Sequence, residues 1–184
     1  MLRWFMGRWL DRFERTWNYD ASYMRDVLDA DPRAVLAFSK VDALAKYRKD
    51  VSPAAYFAAA IVGTMNEDCG PCTQLVIEMA QREGVDPAVV RAVVARDVSA
   101  MPYEVALAVR YAEATLHRAP EADDLRDEVV RRFGKRGLVS LAFSLVASRL
   151  YPTLKYALGH GRTCTRVTVG GRPQPILRQL DRAA

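Results

Sequence analysis

The stretch from 54 to 65 places the strongest constraint on the fold, because almost every residue in it is apolar. A helix that is apolar on all sides is a buried helix, so other elements have to pack around it. Ser52 has the side chain of an N-cap, and Pro53 suits the first helical position, which indicates where this helix begins. The sequence therefore predicts a central, buried helix inside a multi-helix domain.

Proline, glycine and capping residues divide the remaining chain into further helices. Breaks are expected at Gly134 and at Tyr151-Pro152, since glycine ends helices readily and proline cannot continue their hydrogen bonding. The pattern predicts an all-α fold. Apolar residues recur at helical spacing over 3–17, 21–30, 33–47, 69–83, 88–96, 103–117, 121–133 and 138–150, with a further turn or two as far as 158.

The last part of the chain differs in character. Val167 and Val169 are followed by glycines and prolines, which predicts extended, non-helical chain. No partner strand is evident elsewhere in the sequence, so we expect this tail to lie on a neighbouring subunit or to be mobile. The predicted parts are an N-terminal amphipathic helix (1–20), a helical domain (21–160) and an extended tail (161–184).

The first helix is predicted to be strongly amphipathic. An aromatic stripe of this kind is typical of a helix on a membrane surface, or of one that packs on the protein or on a second subunit. The opposite face mixes Asp11 and Glu14 with its arginines, which favours packing. The stripe consists of Leu2, Phe5, Met6, Trp9, Leu10, Phe13 and Trp17.

Composition narrows the possible functions. The 184 residues carry a net charge of +5, with 51% hydrophobic and 27% charged residues, which is typical of one globular domain. Basic and acidic residues are interspersed, so we expect no nucleic-acid partner. No apolar run looks long enough to cross a bilayer and no secretory signal is evident, which predicts that there is no integral membrane segment. Three cysteines do not suit a secreted disulfide scaffold, so a cytoplasmic location is expected.

Two of the three cysteines form the motif Cys69-Gly70-Pro71-Cys72. In a reducing compartment this spacing is typical of redox chemistry or of half a metal site. A thiolate is the nucleophile towards peroxides and disulfides, and the free N–H groups and dipole of a helix N-terminus stabilise it. Cys69 would cap the helix and Cys72 would lie in its first turn, close enough for a disulfide. The alternative is a pair of buried structural thiols.

Three residues near the motif are candidates for proton transfer. Glu67 and Asp68 directly precede it, although their charges disfavour a thiolate and solvated loop carboxylates are the simpler interpretation. Tyr56 could reach the motif from the preceding helix, and a core aromatic residue is the alternative.

A zinc site would need two ligands besides the two cysteines of the motif. His160 and Cys164 are the only spare pair with ligand-like spacing, and nothing in the sequence places them near the motif. We therefore expect neither a metal nor another cofactor. His117 lies near a predicted helix C-terminus, where a cation interacts favourably with the dipole.

The run of Val51-Ser52-Pro53, the buried helix, Met65-Asn66 and the Cys-Gly-Pro-Cys motif resembles the core of the carboxymuconolactone decarboxylase/alkylhydroperoxidase D-like family. Tyr111-Ala112-Glu113 and the apolar segment after Leu138 are similar too, so the resemblance covers roughly residues 30–160. It implies an all-α fold that assembles into homo-oligomers. It also implies a dithiol that reduces peroxides, with Cys72 attacking and Cys69 resolving.

Two positions depart from the pattern of the redox-active members of that family. They carry a glutamate in the helix before the motif, where this sequence has Phe57, and a histidine one turn after the second cysteine, where it has Val76. The resemblance implies that the missing groups form a proton relay, and such general acid–base help contributes ~10²–10⁴-fold. We therefore expect a weak peroxidase, or one whose protons move through other residues. Decarboxylation fits poorly, since no histidine lies at the motif.

Three functions are consistent with the sequence. The first is a thiol-dependent peroxidase or disulfide reductase, which acts on a small peroxide or disulfide and is recycled by a dithiol reductant. The second is a non-enzymatic helical oligomer that kept the fold and lost the relay. The third is an apolar-ligand-binding protein whose pocket is lined by the helix that begins near residue 54.

Overall fold

The computed structural model describes residues 2–161 and 166–176 of the chain. Most of these residues are helical, which confirms the prediction of an all-α class, with one small sheet added. A 3₁₀ turn (Val98–Ala100) precedes α8. The elements are α1 (Leu2–Trp17), α2 (Ser22–Ala30), α3 (Pro32–Ser39), α4 (Val41–Lys46), α5 (Pro53–Asn66), α6 (Gly70–Arg82), α7 (Pro87–Ala95), α8 (Tyr103–His117), α9 (Ala122–Ala157), β1 (Arg166–Val169) and β2 (Arg172–Pro175).

Helix α5 forms the centre of the protein, as its apolar sequence predicts. Every residue from 55 to 65 is buried, and the helix packs against α6, α7, α8 and α9. The Ser52 hydroxyl caps it by accepting a hydrogen bond from the backbone N–H of Ala55 at 3.3 Å. Gly63 permits the close approach of α9, because a Cβ at this position would collide with the Ser148 hydroxyl.

The buried apolar residues around α5 form one cluster, here called the main core. It combines side chains of α5, α6, α7, α8 and α9 with Val167, Val169 and Ile176 of the tail. Its largest fully buried members are Ile61, Ile77, Leu107 and Leu141.

A second, smaller cluster lies beneath α1 and is here called the N-terminal cluster. Leu75 of α6 and Leu154 of α9 pack against it, so it adjoins the helix that carries the dithiol motif. Arg25 of α2 forms ion pairs with both Asp11 and Glu14, which ties α1 to α2. Its buried members are Leu10, Tyr19, Ala21, Tyr23, Met24, Leu28 and Val35.

The aromatic stripe of α1 is only partly used in this packing. Leu10 is 1% exposed, whereas Phe5 and Trp9 are 61% and 59% exposed. One side of the helix therefore packs on its own chain, in agreement with the favoured interpretation.

The single helix expected over 33–47 is wrong, because α3 ends at Ser39 and α4 begins at Val41. The Ser39 hydroxyl donates to the carbonyl of Leu36 at 2.8 Å, and the N–H of Lys40 bonds three residues back to Ala37 at 3.4 Å. Such local bonds compete with the regular helical pattern and turn the chain between the two short helices.

The break expected at Tyr151-Pro152 is also wrong, because α9 continues through the buried Pro152 as far as Ala157. Proline removes one backbone hydrogen bond, but the Thr153 hydroxyl donates to the Arg149 carbonyl at 2.7 Å and so bonds a carbonyl in the affected turn. The break expected at Gly134 is confirmed as a kink, since this residue has φ 71° and ψ 176° inside α9.

Part of the tail folds back on its own chain. Strands β1 and β2 pair with each other in antiparallel register, and Gly170 and Gly171 supply the positive φ angles of the turn. Thr168 and the Gln74 side chain of α6 exchange two hydrogen bonds, of 2.7 and 3.2 Å. The extended character is therefore confirmed for 166–176, whereas placement on another subunit or mobility is wrong for these residues. The missing partner strand lies within the tail itself.

By length and composition alone, α9 is the one helix in the described part of the chain that could cross a membrane. Buried helices of soluble proteins meet the same criterion, and Leu125, Val129 and Leu141 of α9 are buried in the main core. The absence of an integral membrane segment therefore stays a prediction.

Candidate active site at the start of α6

The dithiol motif occupies the N-terminus of α6, as the sequence predicts. Cys69 is the N-cap residue, and Cys72 lies in the first turn. Their sulfur atoms are within bonding distance and form a disulfide, and their Cα atoms are 5.3 Å apart. Cys69 is 1% exposed and Cys72 is 4% exposed, so the pair is buried.

The backbone around the motif is fixed by a tight connection from α5. Asp68 adopts a left-handed conformation with φ 50°, which reverses the chain immediately before the motif. The N–H of Cys69 then donates to the carbonyl of Thr64 at 3.4 Å. Thr73 donates to the carbonyl of Cys69 through its N–H at 2.9 Å and through its hydroxyl at 3.0 Å. The motif is thus held from both sides by buried threonines.

A tyrosine from the N-terminal cluster contacts the second cysteine. The hydroxyl oxygen of Tyr19 lies 3.6 Å from the Sγ atom of Cys72. In the disulfide this sulfur carries no hydrogen, so Tyr19 is the donor. Burial raises the pKa of Tyr19 to about 12, which keeps the phenol protonated and able to donate throughout the neutral range.

A buried lysine from α9 reaches the same tyrosine. Lys155 is 3% exposed, and its Nζ atom donates to the Tyr19 hydroxyl oxygen at 3.3 Å. The same Nζ atom lies 4.6 Å from the ring centre of Tyr19 and 5.2 Å from that of Tyr23. Burial also raises the pKa of Tyr23, so both rings near the amine are neutral.

The end of α1 turns Tyr19 towards the site. Asn18 has φ 46°, and the N–H of Tyr19 bonds to the carbonyl of Glu14 at 3.2 Å. This is the hydrogen bond of a Schellman cap, in which the residue after the left-handed position packs back on the helix. The ring of Tyr19 accordingly meets that of Phe13 edge-on, with centroids 5.9 Å apart.

Glu67, predicted together with Asp68 as an alternative proton acceptor, bonds to side chains of α9. The Glu67 carboxylate pairs with Arg149 at 2.5 Å and accepts from Thr153 at 3.4 Å. Its side chain is only 18% exposed, so the interpretation as a solvated loop carboxylate is wrong for Glu67. The backbone carbonyl of Asp68 accepts a hydrogen bond from Tyr156 at 3.1 Å.

Tyr56, the third predicted proton carrier, lies in the main core. Its hydroxyl donates to the carbonyl of Ala45, and burial raises its pKa. The core-aromatic interpretation therefore describes its position. Phe57 lines a surface groove together with Trp17 and Arg82, and Val76 packs against the main core.

The histidines do not join the dithiol site. The Nε2 atom of His160 lies 2.6 Å from the Asp26 carboxylate, and His117 is in the last turn of α8, as predicted. Cys164 lies outside the described residues. Among residues 2–161 and 166–176, no group of three or more His, Cys, Asp or Glu side chains could hold a metal ion.

Sequence reasoning missed Tyr19 and Lys155, although each leaves a signal. Asn18 directly after the apolar stripe of α1 indicates a left-handed cap, which would turn the next residue inward. Lys155 is an isolated basic residue inside the apolar segment from 150 to 158. Neither signal reveals that the two side chains meet, because 136 positions separate them in the chain.

Comparisons of the chain with family models, curated proteins and solved structures found no match. The resemblance to the carboxymuconolactone decarboxylase/alkylhydroperoxidase D-like family rests on the residues of the motif and its flanks, and it stays a prediction.

Proposed function

We propose that the protein is a thiol-dependent peroxidase that uses the Cys69–Cys72 dithiol. The observation that carries the proposal is the arrangement of the two sulfurs, which lie within bonding distance at a helix N-terminus. A helix N-terminus stabilises a thiolate, and the Tyr19 hydroxyl donates towards Cys72. This contact favours Cys72 as the attacking sulfur, in the role that the family resemblance implies.

The reaction would run in three steps. The Cys72 thiolate attacks one peroxide oxygen, an S–O bond forms, the O–O bond breaks, and the released alkoxide takes a proton and leaves as an alcohol. The Cys69 thiol then attacks the sulfenic acid on Cys72, an S–S bond forms, and the hydroxyl leaves as water with the thiol proton. An external dithiol finally reduces the disulfide and is itself oxidised to a disulfide.

The burial of the pair favours a peroxide over a disulfide as the oxidising substrate. Cys69 and Cys72 are 1% and 4% exposed, so a bulky disulfide would need a larger opening than a small peroxide. The reducing dithiol must still reach one sulfur, which makes reduction the step most sensitive to the size of the reagent. Assembly into a homo-oligomer and a cytoplasmic location belong to the same proposal.

The test is peroxide consumption by the reduced protein, with hydrogen peroxide or tert-butyl hydroperoxide and dithiothreitol as the reductant. We expect turnover in the wild type and in Cys164→Ser, the matched control that removes the cysteine outside the motif. Cys72→Ser should abolish turnover. Intact-mass analysis after one equivalent of peroxide should show the loss of two hydrogens in the wild type.

The non-enzymatic alternative predicts a different result. If both motif cysteines stay reduced after peroxide treatment and no peroxide is consumed, the catalytic proposal is wrong. The apolar-ligand alternative predicts a copurified ligand. Phe57 of α5 lines one surface groove, whereas a mostly apolar groove is lined by residues of α2, α3, α4 and the end of α9.

A further inference from the structure

The burial of Lys155 calls for an explanation. Lysine is almost never fully buried unless it is paired, because transfer of an ammonium group from water to the interior is strongly unfavourable. Here the Nζ atom lies close to the rings of Tyr19 and Tyr23 and bonds to the Tyr19 hydroxyl oxygen at 3.3 Å.

The hydrogen bonds around Tyr19 have a single consistent direction. A lysine side chain in its ammonium form can only donate, so the Tyr19 oxygen is the acceptor from Lys155. The Tyr19 hydroxyl also hydrogen-bonds with that of Tyr23. With Lys155 and Tyr23 both donating to the Tyr19 oxygen, the Tyr19 hydrogen is directed to the Sγ atom of Cys72, 3.6 Å away. When the disulfide is reduced and Cys72 ionises, the same two donors point in series towards a negative sulfur.

We propose that Tyr19 and Lys155 form the proton relay of the dithiol site, with Tyr19 in contact with the reacting sulfur and Lys155 as a positioning residue that acts through Tyr19. The inference rests on the proposed peroxidase function and supplies the groups that its first step requires. It also explains how the site could work with Phe57 and Val76 at the positions where the resemblance implies acid and base groups.

The relay has a defined task in the first step. As the O–O bond breaks, the leaving alkoxide takes the Tyr19 proton, and Lys155 replaces that proton from its ammonium group. The amine is then neutral until the disulfide is reduced. Reduction by an external dithiol delivers two electrons and two protons, of which one stays on the Cys69 thiol and one returns to Lys155, while Cys72 is released as the thiolate.

Other ionisable groups surround the relay without replacing it. Tyr23 of α2 and Tyr151 of α9 face Tyr19, and burial raises the pKa of both phenols, that of Tyr151 to about 12. They are therefore neutral at the pH of the reaction. Asp20 adds a negative charge near Tyr19, which opposes its ionisation.

The experiment measures the ionisation of Cys72 directly. In a Cys69→Ser/Cys164→Ser background, ultraviolet thiolate absorbance is followed against pH, with the variant that also lacks Cys72 as the blank. We expect Lys155→Met to raise the pH midpoint by about one pH unit, the lower end of what a nearby opposite charge does to a thiol. Tyr19→Phe should raise it too, and Lys155→Arg should restore part of the wild-type midpoint.

Lys135→Met is the matched control, because Lys135 is an exposed lysine on the same helix. Lys135→Met should leave the pH midpoint of Cys72 ionisation and the peroxide turnover unchanged. Urea unfolding of each variant shows whether it is folded. If Lys155→Met does not fold, the thiolate midpoints of Tyr19→Phe and Lys155→Arg still test the relay.

The possible outcomes separate the relay from the peroxidase function. An unchanged midpoint in Lys155→Met and Tyr19→Phe, with wild-type turnover, would overturn the relay and leave the peroxidase intact. A raised midpoint in a protein that consumes no peroxide would support the relay contacts and overturn the peroxidase function. A raised midpoint together with reduced turnover in Lys155→Met, by as much as the ~10²–10⁴-fold that such acid–base help contributes, supports both.

Discussion

The main core and the N-terminal cluster both adjoin α6, yet buried polar side chains differ between them. In the main core, neutral hydroxyls donate to nearby backbone carbonyls, as Thr64 does to Ile61 at 3.0 Å and Ser144 to Tyr56 at 2.8 Å. At the N-terminal cluster, the Tyr19 hydroxyl bonds instead to side chains, the amine of Lys155 and the Cys72 sulfur. A hydroxyl bonded to a carbonyl is satisfied locally, whereas a buried charge is unfavourable unless several neighbours compensate for it.

This difference suggests that one cluster stabilises the fold and the other affects the reactivity of the dithiol. Phe57 and Val76 both belong to or pack against the main core, so that side of the protein offers the dithiol apolar packing. Tyr19 and Lys155 belong to the other side, where one hydroxyl contacts Cys72. We infer that the main core supplies most of the folding free energy and that the N-terminal cluster tunes the thiol.

The largest expected effect is the loss of a central side chain from the main core. Ile61 is 1% exposed in α5, and Ile61→Ala should lower the free energy of unfolding by about 2–5 kcal/mol, as measured by urea denaturation. Leu10 is equally buried, but it belongs to α1 and to the smaller N-terminal cluster, so we expect α1 to fill part of the cavity that the substitution leaves. Leu10→Ala should therefore fall near the lower end of the same range.

The same pair of variants tests the division of roles. In the reduced protein, Leu10→Ala should accelerate the reaction of Cys72 with a small thiol reagent, because it loosens the N-terminal cluster, whose Tyr19 contacts Cys72. Ile61→Ala, under conditions where it is fully folded, should not. Equal acceleration in both variants would contradict the separation of the two clusters.

A smaller effect is expected at alkaline pH. The pKa of Tyr19 is raised from 10.0 to about 12 by burial, so the unfolded chain loses this proton at a lower pH than the folded protein does. Stability conferred by the protonated phenol is therefore complete below pH 10 and declines between pH 10 and 12, by about 1.4 kcal/mol per pH unit for this one group. Tyr23 and Tyr151, whose pKa values are also raised by burial, act in the same direction.

Tyr19→Phe should accordingly show a shallower loss of stability above pH 10, as measured by urea unfolding at a series of pH values. Tyr47→Phe, which changes a tyrosine outside the N-terminal cluster, is the matched control. A slope that Tyr19→Phe leaves unchanged would show that this phenol is not buried in the folded protein.

The smallest effect is expected for a cap of the main core. Ser52→Ala removes the acceptor for the N–H of Ala55 and should cost about 1 kcal/mol of stability, the typical value for an N-cap. Asp86→Ala, which removes the acceptor for the N–H of Ala88 on α7, should cost a similar amount. Thermal unfolding measures both, and neither variant should alter the thiolate midpoint of Cys72. A shift in that midpoint would show that the main core also tunes the thiol.

The fold was predictable wherever local chemistry decides it. The apolar sequence of α5, its Ser52 cap and the kink at Gly134 follow from neighbouring residues, and all three are present. The cap position of Cys69 follows in the same way. Local rules were wrong at Pro152, where a hydroxyl bonds a carbonyl beside the proline and burial keeps the helix continuous.

The site was predictable only in part, for a physical reason. The spacing of the two cysteines identifies them in the sequence. Tyr19 and Lys155, by contrast, meet only through tertiary packing between the end of α1 and the end of α9. The tail shows the same difference. Its strand partner is close in sequence and was open to prediction, whereas its hydrogen bonds to the distant Gln74 were not. Periodicity and capping describe elements, and contacts between distant elements depend on how those elements pack.

The measurement that tests the central claim most directly is the trapping of the sulfenic acid formed by peroxide. The reduced Cys69→Ser and Cys72→Ser variants, both in a Cys164→Ser background, are treated with one equivalent of hydrogen peroxide and dimedone, and the modified residue is located by peptide mass spectrometry. We expect the adduct on Cys72 in the first variant and no adduct on Cys69 in the second, since the Tyr19 hydroxyl donates to the sulfur of Cys72. An adduct on Cys69, or none in either variant, would contradict the claim that Cys72 is the activated thiol.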